Sequence, residues 1–207
     1  MVAIFAKFAD AVDGLDDPRW NDAPVHLLDR QWNGDAAPKE LSTSARLLWT
    51  ADHLFVSFSC DFTELDINET VDLSRETYAL WDRDVCEIFV RSSAEAAVTS
   101  YKEFEVAPTG EWCDLIIDRE TMSHDWEWNS GMRTETGIDN KAKNWRAMMA
   151  IPFSAFGLHP ERGLHWHANL FRVSRFREER LYLAFSPTLG EQPNYHVPER
   201  FVPLRFV

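Results

Sequence analysis

The segment Tyr78-Ala-Leu-Trp-Asp-Arg-Asp-Val-Cys-Glu-Ile-Phe-Val90 places an indole just before a β-strand pattern. Alternation along that pattern puts the Glu87 side chain on one face and the side chains of Cys86, Ile88 and Val90 on the other. A flat aromatic ring beside a fixed carboxylate suits a sugar, because the ring stacks on its apolar face while the carboxylate binds its hydroxyls. A packed Trp81 next to a solvated Glu87 would give the same pattern.

Short apolar segments separated by turn residues recur along the chain and predict about ten strands. Residues 45–50 and 53–60, joined by an Ala-Asp turn, predict a hairpin. Many short strands without helical periodicity favour an all-β fold, an antiparallel β-sandwich with long edge loops and little helix; a barrel is the alternative. We expect one domain over residues 1–207. The other predicted strands are residues 85–90, 99–107, 112–118, 133–136, 144–151, 164–172, 181–185 and 201–206, with a short strand near 25–28.

The charge of the chain bears on its partners. There are 21 basic and 34 acidic residues, which give a net charge of -13. This balance argues against nucleic acid and anionic membranes as partners and favours neutral ligands or cations, although acidity also serves solubility. We find no segment long and apolar enough for membrane insertion. Residues 1–11 make a poor signal peptide, so the expected location is cytoplasmic by default, or extracellular if a signal has been removed.

Three groups of residues offer metal ligands. Cys60, Cys86 and Cys113 lack disulfide-framework and zinc-site spacing. Cys60 and Cys86 lie in apolar strand patterns and are expected to be small buried residues. His165 and His167 lie two residues apart on one strand face, but no third ligand is identifiable. Structural calcium is a further possibility. Its candidate ligands lie in two acidic runs, Asp13, Asp16 and Asp17 and then Asp61, Glu64 and Asp66.

Two other segments carry groups suited to ligand binding. The strand at 99–107 puts Glu103 and Glu105 on one face, so several carboxylates would line a sheet face if this strand neighbours Glu87. A solvated outer face is the alternative. Paired carboxylates would also suit glycoside hydrolysis. In the late loop at 187–198, Tyr195 offers a stacking ring. Hydroxyl-binding groups there are Gln192, Asn194 and His196.

The order of these segments resembles carbohydrate-binding module family 9 and its relatives. The matching segments are Asp13-Gly-Leu-Asp-Asp-Pro-Arg-Trp20, Ala45 to Val56, Trp81-Asp-Arg-Asp-Val-Cys-Glu-Ile-Phe89, Trp145 to Phe153 and Pro198 to Phe206. They span nearly the whole chain. The resemblance implies a β-sandwich that binds oligo- or polysaccharides, a role in polysaccharide catabolism, and structural calcium in some members.

The resemblance also implies site residues. Trp81 corresponds to the first aromatic that clamps the sugar, Glu87 to the carboxylate, and Tyr195 to the second aromatic. The family's arginine falls at Glu105, which reverses the charge facing the ligand, and Arg172 is a candidate to replace it from another strand. We therefore predict a non-catalytic carbohydrate-binding domain that requires no cofactor. The alternatives are a glycoside hydrolase using paired carboxylates and a structural or interaction sandwich without a sugar ligand.

Overall fold

The computed structural model describes residues 2–95, 97–121, 123–125 and 127–207. Strands dominate this part of the chain, and its helical structure is confined to short 3-10 turns. The predicted all-β fold with little helix is confirmed. The described strands are β1 (Ile4–Phe8), β2 (His26–Leu27), β3 (Arg30–Gln31), β4 (Thr43–Trp49), β5 (His53–Asp61), β6 (Val85–Arg91), β7 (Ser100–Val106), β8 (Trp112–Asp118), β9 (Ser123–Asp125), β10 (Arg133–Asp139), β11 (Asn144–Pro152), β12 (His165–Phe176), β13 (Glu179–Ala184) and β14 (Val202–Phe206).

One hydrogen-bonded sheet curls into the two layers of a sandwich. The first layer has the order β10-β11-β5-β4, and the second has the order β14-β12-β6-β7-β8-β9, with β13 also paired to β12. Strand β1 joins the layers by pairing with β4 and β14, and both pairings are parallel. The other strand pairs described are antiparallel, so β1 makes the sheet mixed where sequence patterns predicted an antiparallel one.

The main differences from the predicted strands lie in the shortest elements. Strands β1, β3 and β9 were not predicted. In β1 only Ile4 and Ala6 are buried, and such a short alternation beside Lys7 resembles ordinary extended chain. Strands β3 and β9 contain two and three residues, too few to show a period. Residues 69–79 form turns and loop.

The core lies between the two layers and is rich in aromatic rings. Trp145 and Phe58 enter it from the first layer, and Phe104 and Trp166 enter it from the second; each is at most 1% exposed. All three cysteines are free and buried, and the predicted burial of Cys60 and Cys86 is confirmed. The Sγ atoms of Cys60 and Cys86 lie 3.4 Å apart between the layers. No helix of the described residues is long and apolar enough to cross a membrane.

The outer faces of the two layers are covered differently. On the first layer the N-terminal segment packs down through Trp20, which is 6% exposed and whose indole N–H donates to the Gly14 carbonyl at 2.9 Å. On the second layer the late loop packs Tyr195 and Phe201 against an apolar cluster. That loop leaves part of the second face open, and the candidate site lies there.

Candidate functional site

Alternation along β6 divides its side chains between the core and the outer face. Cys86, Ile88 and Val90 enter the core between the layers, whereas Phe89 belongs to the outer cluster. Strand β7 pairs with β6 so that Glu105 lies opposite Glu87 and Glu103 lies opposite Phe89. The predicted neighbour relation of the two strands is therefore confirmed, and it brings three carboxylates together on one face.

A cavity of about 450 Å³ opens on this outer face. Glu87, Phe89 and Glu103 contribute to its floor, and the 3-10 turn Leu80–Asp82 and residues 193–196 of the late loop contribute to its walls. The volume is in the range typical of small-molecule sites. Residues from turns, loops and several strands thus meet in one concave surface.

Two partly exposed aromatic rings line the cavity. Trp81 lies in the turn that follows Ala79, whose backbone is left-handed with φ of 62°, and its ring meets Tyr78 edge-on at 5.3 Å. Tyr182 comes from β13, where it lies opposite Val173 of β12, another lining residue. Sequence reasoning missed Tyr182. The residue could have been found by pairing the predicted strand at 181–185 with the strand before it, since this pairing places Tyr182 opposite Val173.

Tyr195 also lines the cavity, but it is 7% exposed and held firmly by the protein. Its ring stacks on Phe171 with centroids 4.0 Å apart, and its hydroxyl lies 2.8 Å from the Arg172 carbonyl oxygen and 3.0 Å from that of Leu183. Because the hydroxyl is used within the protein, Tyr195 offers a ligand only ring surface. Its predicted role as the second clamp ring stays a prediction.

The three glutamates form a compact buried group, which we call the glutamate cluster (Glu87, Glu103 and Glu105). Their exposed fractions are 2%, 3% and 0%. One carboxylate oxygen from each lies within 4.8 Å of the others. Four of their oxygens have no hydrogen-bond partner among the residues that the structure describes: Oε1 of Glu87, Oε2 of Glu103 and both oxygens of Glu105. Buried carboxyl oxygens are normally bonded, so this group is exceptional.

Burial is the main cause of the shifted pKa values in the glutamate cluster. It raises the pKa of Glu103 to about 7, against an ordinary 4.5. Burial also raises the pKa of Glu87 well above its usual range, helped by the charge of Glu103. The pKa of Glu105 is raised in the same way, by burial and then by both neighbouring carboxylates. Burial therefore favours the protonated form of all three carboxyl groups.

His196 borders the cluster without neutralising it. Its Nδ1 atom lies 2.8 Å from the Tyr101 hydroxyl and 3.8 Å from Oε2 of Glu103. Burial, followed by the charges of Arg119 and His124, lowers the pKa of His196 to about 4. The imidazole is therefore neutral at pH 7 and supplies hydrogen-bonding atoms rather than a positive charge.

The two arginines near the site have different positions. Arg172 lies opposite Cys86 in the β12–β6 register, so its side chain enters the core; it is 0% exposed and is not among the cavity-lining residues. Arg180 does line the cavity, at its rim, where it pairs with Asp82 at 3.4 Å. Of the five predicted site residues, the structure thus places Trp81, Glu87 and Tyr195 on the cavity and Glu105 directly behind it, and it directs Arg172 elsewhere.

Of the three hydroxyl-binding candidates in the late loop, Asn194 and His196 line the cavity and Gln192 lies outside the lining. The His165 and His167 pair acquires no third ligand. Within the described ranges, the glutamate cluster is the one group of three residues with metal-ligand proximity.

The acidic runs considered for calcium are already occupied by protein groups. Asp17 accepts two backbone N–H bonds, from Asp13 and Arg19, and pairs with the Arg19 guanidinium at 2.7 Å. Asp16 pairs with Arg146 at 2.8 Å. In the second run, Asp66 pairs with an arginine at 2.6 Å and Glu64 lies 3.7 Å from another. Carboxylates bonded in this way do not form an open oxygen cage, so these residues do not fit the ion.

Comparisons with known proteins agree with this architecture. The family model described as carbohydrate family 9 binding domain-like matches residues 12–164, and the chain belongs to this family. Among solved structures, a putative carbohydrate-binding protein from Bacteroides uniformis is similar, with a TM-score of 0.78, 17% identity and 99% of each chain covered. No curated protein is similar enough in sequence to count as a relative.

Two further similar structures are family 9 carbohydrate-binding modules from Caldicellulosiruptor kristjanssonii, both 15% identical to this chain. The complex with cellotriose has a TM-score of 0.72 and covers 99% of this chain and 93% of that one. The complex with glucose has a TM-score of 0.69 and covers 100% and 96%. At these identities the similarity shows the fold, and it confirms the predicted β-sandwich.

Proposed function

We propose that this chain is a non-catalytic carbohydrate-binding domain, folded as one unit over residues 1–207, whose saccharide site is the cavity on the second layer. One observation carries the proposal. The partly exposed rings of Trp81 and Tyr182 share a cavity with buried carboxyl groups, in a chain of the carbohydrate family 9 binding domain-like family. The pairing of β1 with both β4 and β14 supports a single folded unit, since both ends of the chain enter the same sheet.

The aromatic and the polar lining residues would contact different parts of a sugar. Trp81 and Tyr182 present ring faces or edges for the apolar side of a sugar, and such contacts contribute about 0.5–1.5 kcal/mol each beyond area burial. Glu87, Glu103 and Asn194 offer polar atoms to hydroxyls, each bond contributing about 0.5–1.5 kcal/mol. The proposed binding requires no cofactor, and the acidic runs paired with arginines give no support to structural calcium.

The glutamates lie close together, as the paired carboxylates of a glycoside hydrolase would, but their pKa shifts do not support that alternative. A retaining or inverting mechanism needs one ionised carboxylate and one protonated carboxylic acid, in environments that push their pKa values apart. In the glutamate cluster all three pKa values are raised, and burial is the first cause for each. We therefore expect no turnover of aryl-glycosides, in a fluorogenic assay run across neutral pH.

Isothermal titration against a glycan panel tests the proposal. Glucose and cello-oligosaccharides belong in the panel because the Caldicellulosiruptor modules were determined with glucose and cellotriose. We expect saturable binding by the wild type and a loss of at least about tenfold in Trp81→Ala, from the lost stacking. Trp32→Ala is the matched control, because Trp32 is also a partly exposed indole but lies outside the lining. Absence of binding to every glycan, or equal binding by Trp81→Ala, would contradict the proposal.

A further inference from the structure

Among the described residues, no Lys or Arg side chain is paired with the glutamate cluster. The pKa of Glu87 is shifted by burial and by Glu103, and that of Glu105 by burial and the two other glutamates; no basic side chain contributes to either. The arginine at the cavity rim is paired with Asp82, and His196 is neutral at pH 7 because its pKa is lowered to about 4. Isolated buried charge is costly, so the cluster by itself favours its protonated form, whereas a cation bound from outside would favour the ionised form.

The geometry of the cluster suits a small donor with several hydrogens. One oxygen from each carboxylate lies within 4.8 Å of the others, and four oxygens are unpartnered and buried. A primary ammonium carries three N–H donors. Charge-assisted hydrogen bonds of the N–H···O type are about 2.7–2.9 Å long. Three oxygens that lie within 4.8 Å of one another can therefore all accept from one nitrogen placed between them. Because Glu87 and Glu103 line the cavity, a ligand bound there would reach the cluster.

The rest of the cavity indicates what carries the ammonium group. Trp81, Tyr182 and Phe89 provide ring surfaces, and Leu115 and Val173 complete an apolar lining. A bare divalent cation would leave those rings unused. Calcium also takes six to eight oxygen ligands, and the apolar side chains beside the cluster supply none. A ligand with a flat apolar body and one protonated amine uses both parts of the site.

We propose that the cavity selects saccharides carrying a free, protonated amino group, with the amine held by Glu87, Glu103 and Glu105 and the sugar ring held by Trp81 and Tyr182. This inference rests on the proposed carbohydrate binding and names the ligand class of the same site. Glu105 is the decisive residue, since it lies directly opposite Glu87 and both of its oxygens lack a partner among the described residues. A carboxylate there repels an acidic sugar and attracts an amino sugar.

Titration with three matched sets of sugars tests the inference. Glucosamine and chitosan oligosaccharides carry the free amine, N-acetylglucosamine and chitin oligosaccharides have it blocked, and glucose and cello-oligosaccharides replace it with a hydroxyl. We expect the amine-bearing set to bind at least about tenfold more tightly than the other two, and to weaken as salt is raised. Glu105→Gln should remove this preference. Glu111→Gln should retain it, since Glu111 is equally buried but is bonded to Asn68, Thr77 and Thr109 away from the lining.

The outcomes separate this inference from the proposed function. Binding of neutral sugars as tightly as amino sugars would overturn the inference and leave carbohydrate binding intact. Failure of all three sets would count against both. A third outcome is calcium binding by the chelator-treated protein in the absence of sugar, lost in Glu105→Gln; this would show that the cluster is a metal site and would also overturn the inference.

Discussion

Two clusters of buried polar residues lie on opposite faces of the second layer, and they are satisfied to very different degrees. On the core face, the Arg172 guanidinium donates to Thr43 at 2.7 Å and to Ser174 at 3.0 Å, and Ser174 donates to Asp84 at 2.9 Å. Only Nε of Arg172 lacks a partner in this network. On the outer face, four oxygens of the glutamate cluster have no hydrogen-bond partner in the described part of the chain.

This difference indicates that the Arg172 network has a structural role and that the glutamate cluster has a role in ligand binding. The Arg172 network balances charge and bonds its groups within the protein, which is what a buried polar group needs to be tolerated. The glutamate cluster does neither, although both clusters involve β6 and its neighbouring strands. Unsatisfied buried groups beside a cavity have a ready explanation as ligand-binding groups. The predictions below test that contrast, from the largest expected effect to the smallest.

Breaking the Arg172 network should have the largest effect. Arg172→Met removes the positive charge that is linked to Asp84 through Ser174, together with the bonds to Thr43 and Ser174. A bond to a charged group contributes roughly 1.5–3 kcal/mol, so the loss of these two should cost roughly 3–6 kcal/mol. Urea unfolding measures the change. The double variant Arg172→Met with Asp84→Asn should recover part of the loss. A cost below about 1 kcal/mol for the single variant would show that the network is not structural.

The glutamate cluster should make the stability of the protein fall as pH rises. Glu103 has a raised pKa in the folded state, so the folded protein binds more protons than the unfolded chain between pH 4.5 and about 7. The stability linked to Glu103 is complete below pH 4.5 and is lost as pH rises through about 7. A pKa change from 4.5 to about 7 corresponds to at most about 3 kcal/mol.

Unfolding experiments at several pH values measure this dependence, and Glu103→Gln is the comparison. That variant should show a flatter profile between pH 5 and 7.5, because it removes one of the titrating groups. Parallel profiles for the wild type and Glu103→Gln would mean that Glu103 does not titrate in this range.

Replacing one unsatisfied glutamate should stabilise the fold. Glu105→Gln replaces a buried carboxyl, whose raised pKa opposes folding above its ordinary titration range, with a side chain that is always neutral, and we expect a gain of roughly 1–3 kcal/mol at pH 7. Glu111→Gln should instead destabilise the fold by roughly 1–2 kcal/mol, because Glu111 accepts bonds from Asn68, Thr77 and Thr109. Differential scanning calorimetry of both variants gives the comparison, and effects of the same sign would contradict it.

The smallest effect is expected at Tyr195. Tyr195→Phe keeps the ring stacked on Phe171 but removes the hydroxyl that lies near the carbonyls of Arg172 and Leu183. A destabilisation of about 1–2 kcal/mol should appear in urea unfolding, since two buried carbonyl oxygens lose a donor. No change at all would show that the hydroxyl does not fasten the late loop to the sheet.

Much of the fold was predictable because strand patterns are local. Alternation along residues 85–90 assigned Glu87 to one face and Cys86 to the other, and turn residues separated most strands correctly. Strand β1 was not predicted, because its parallel pairing with β4 and β14 joins segments far apart in the chain. The five predicted site residues were chosen by position in the chain, and Arg172 shows the limit of that approach. Arg172 directly follows Phe171 on β12, so the two side chains point to opposite faces, and it is the Phe171 ring that lies in the outer cluster.

The sequence by itself determined the β-sandwich, the family resemblance and the face of β6 on which Glu87 lies, because these follow from periodicity and residue order. Only the tertiary structure decided that Glu87, Glu103 and Glu105 meet within 4.8 Å, that Tyr182 joins Trp81 at the cavity, and that Arg172 points into the core. The physical reason is that strand register and loop packing set burial, and burial decides whether a carboxylate is a solvated surface group or a buried one.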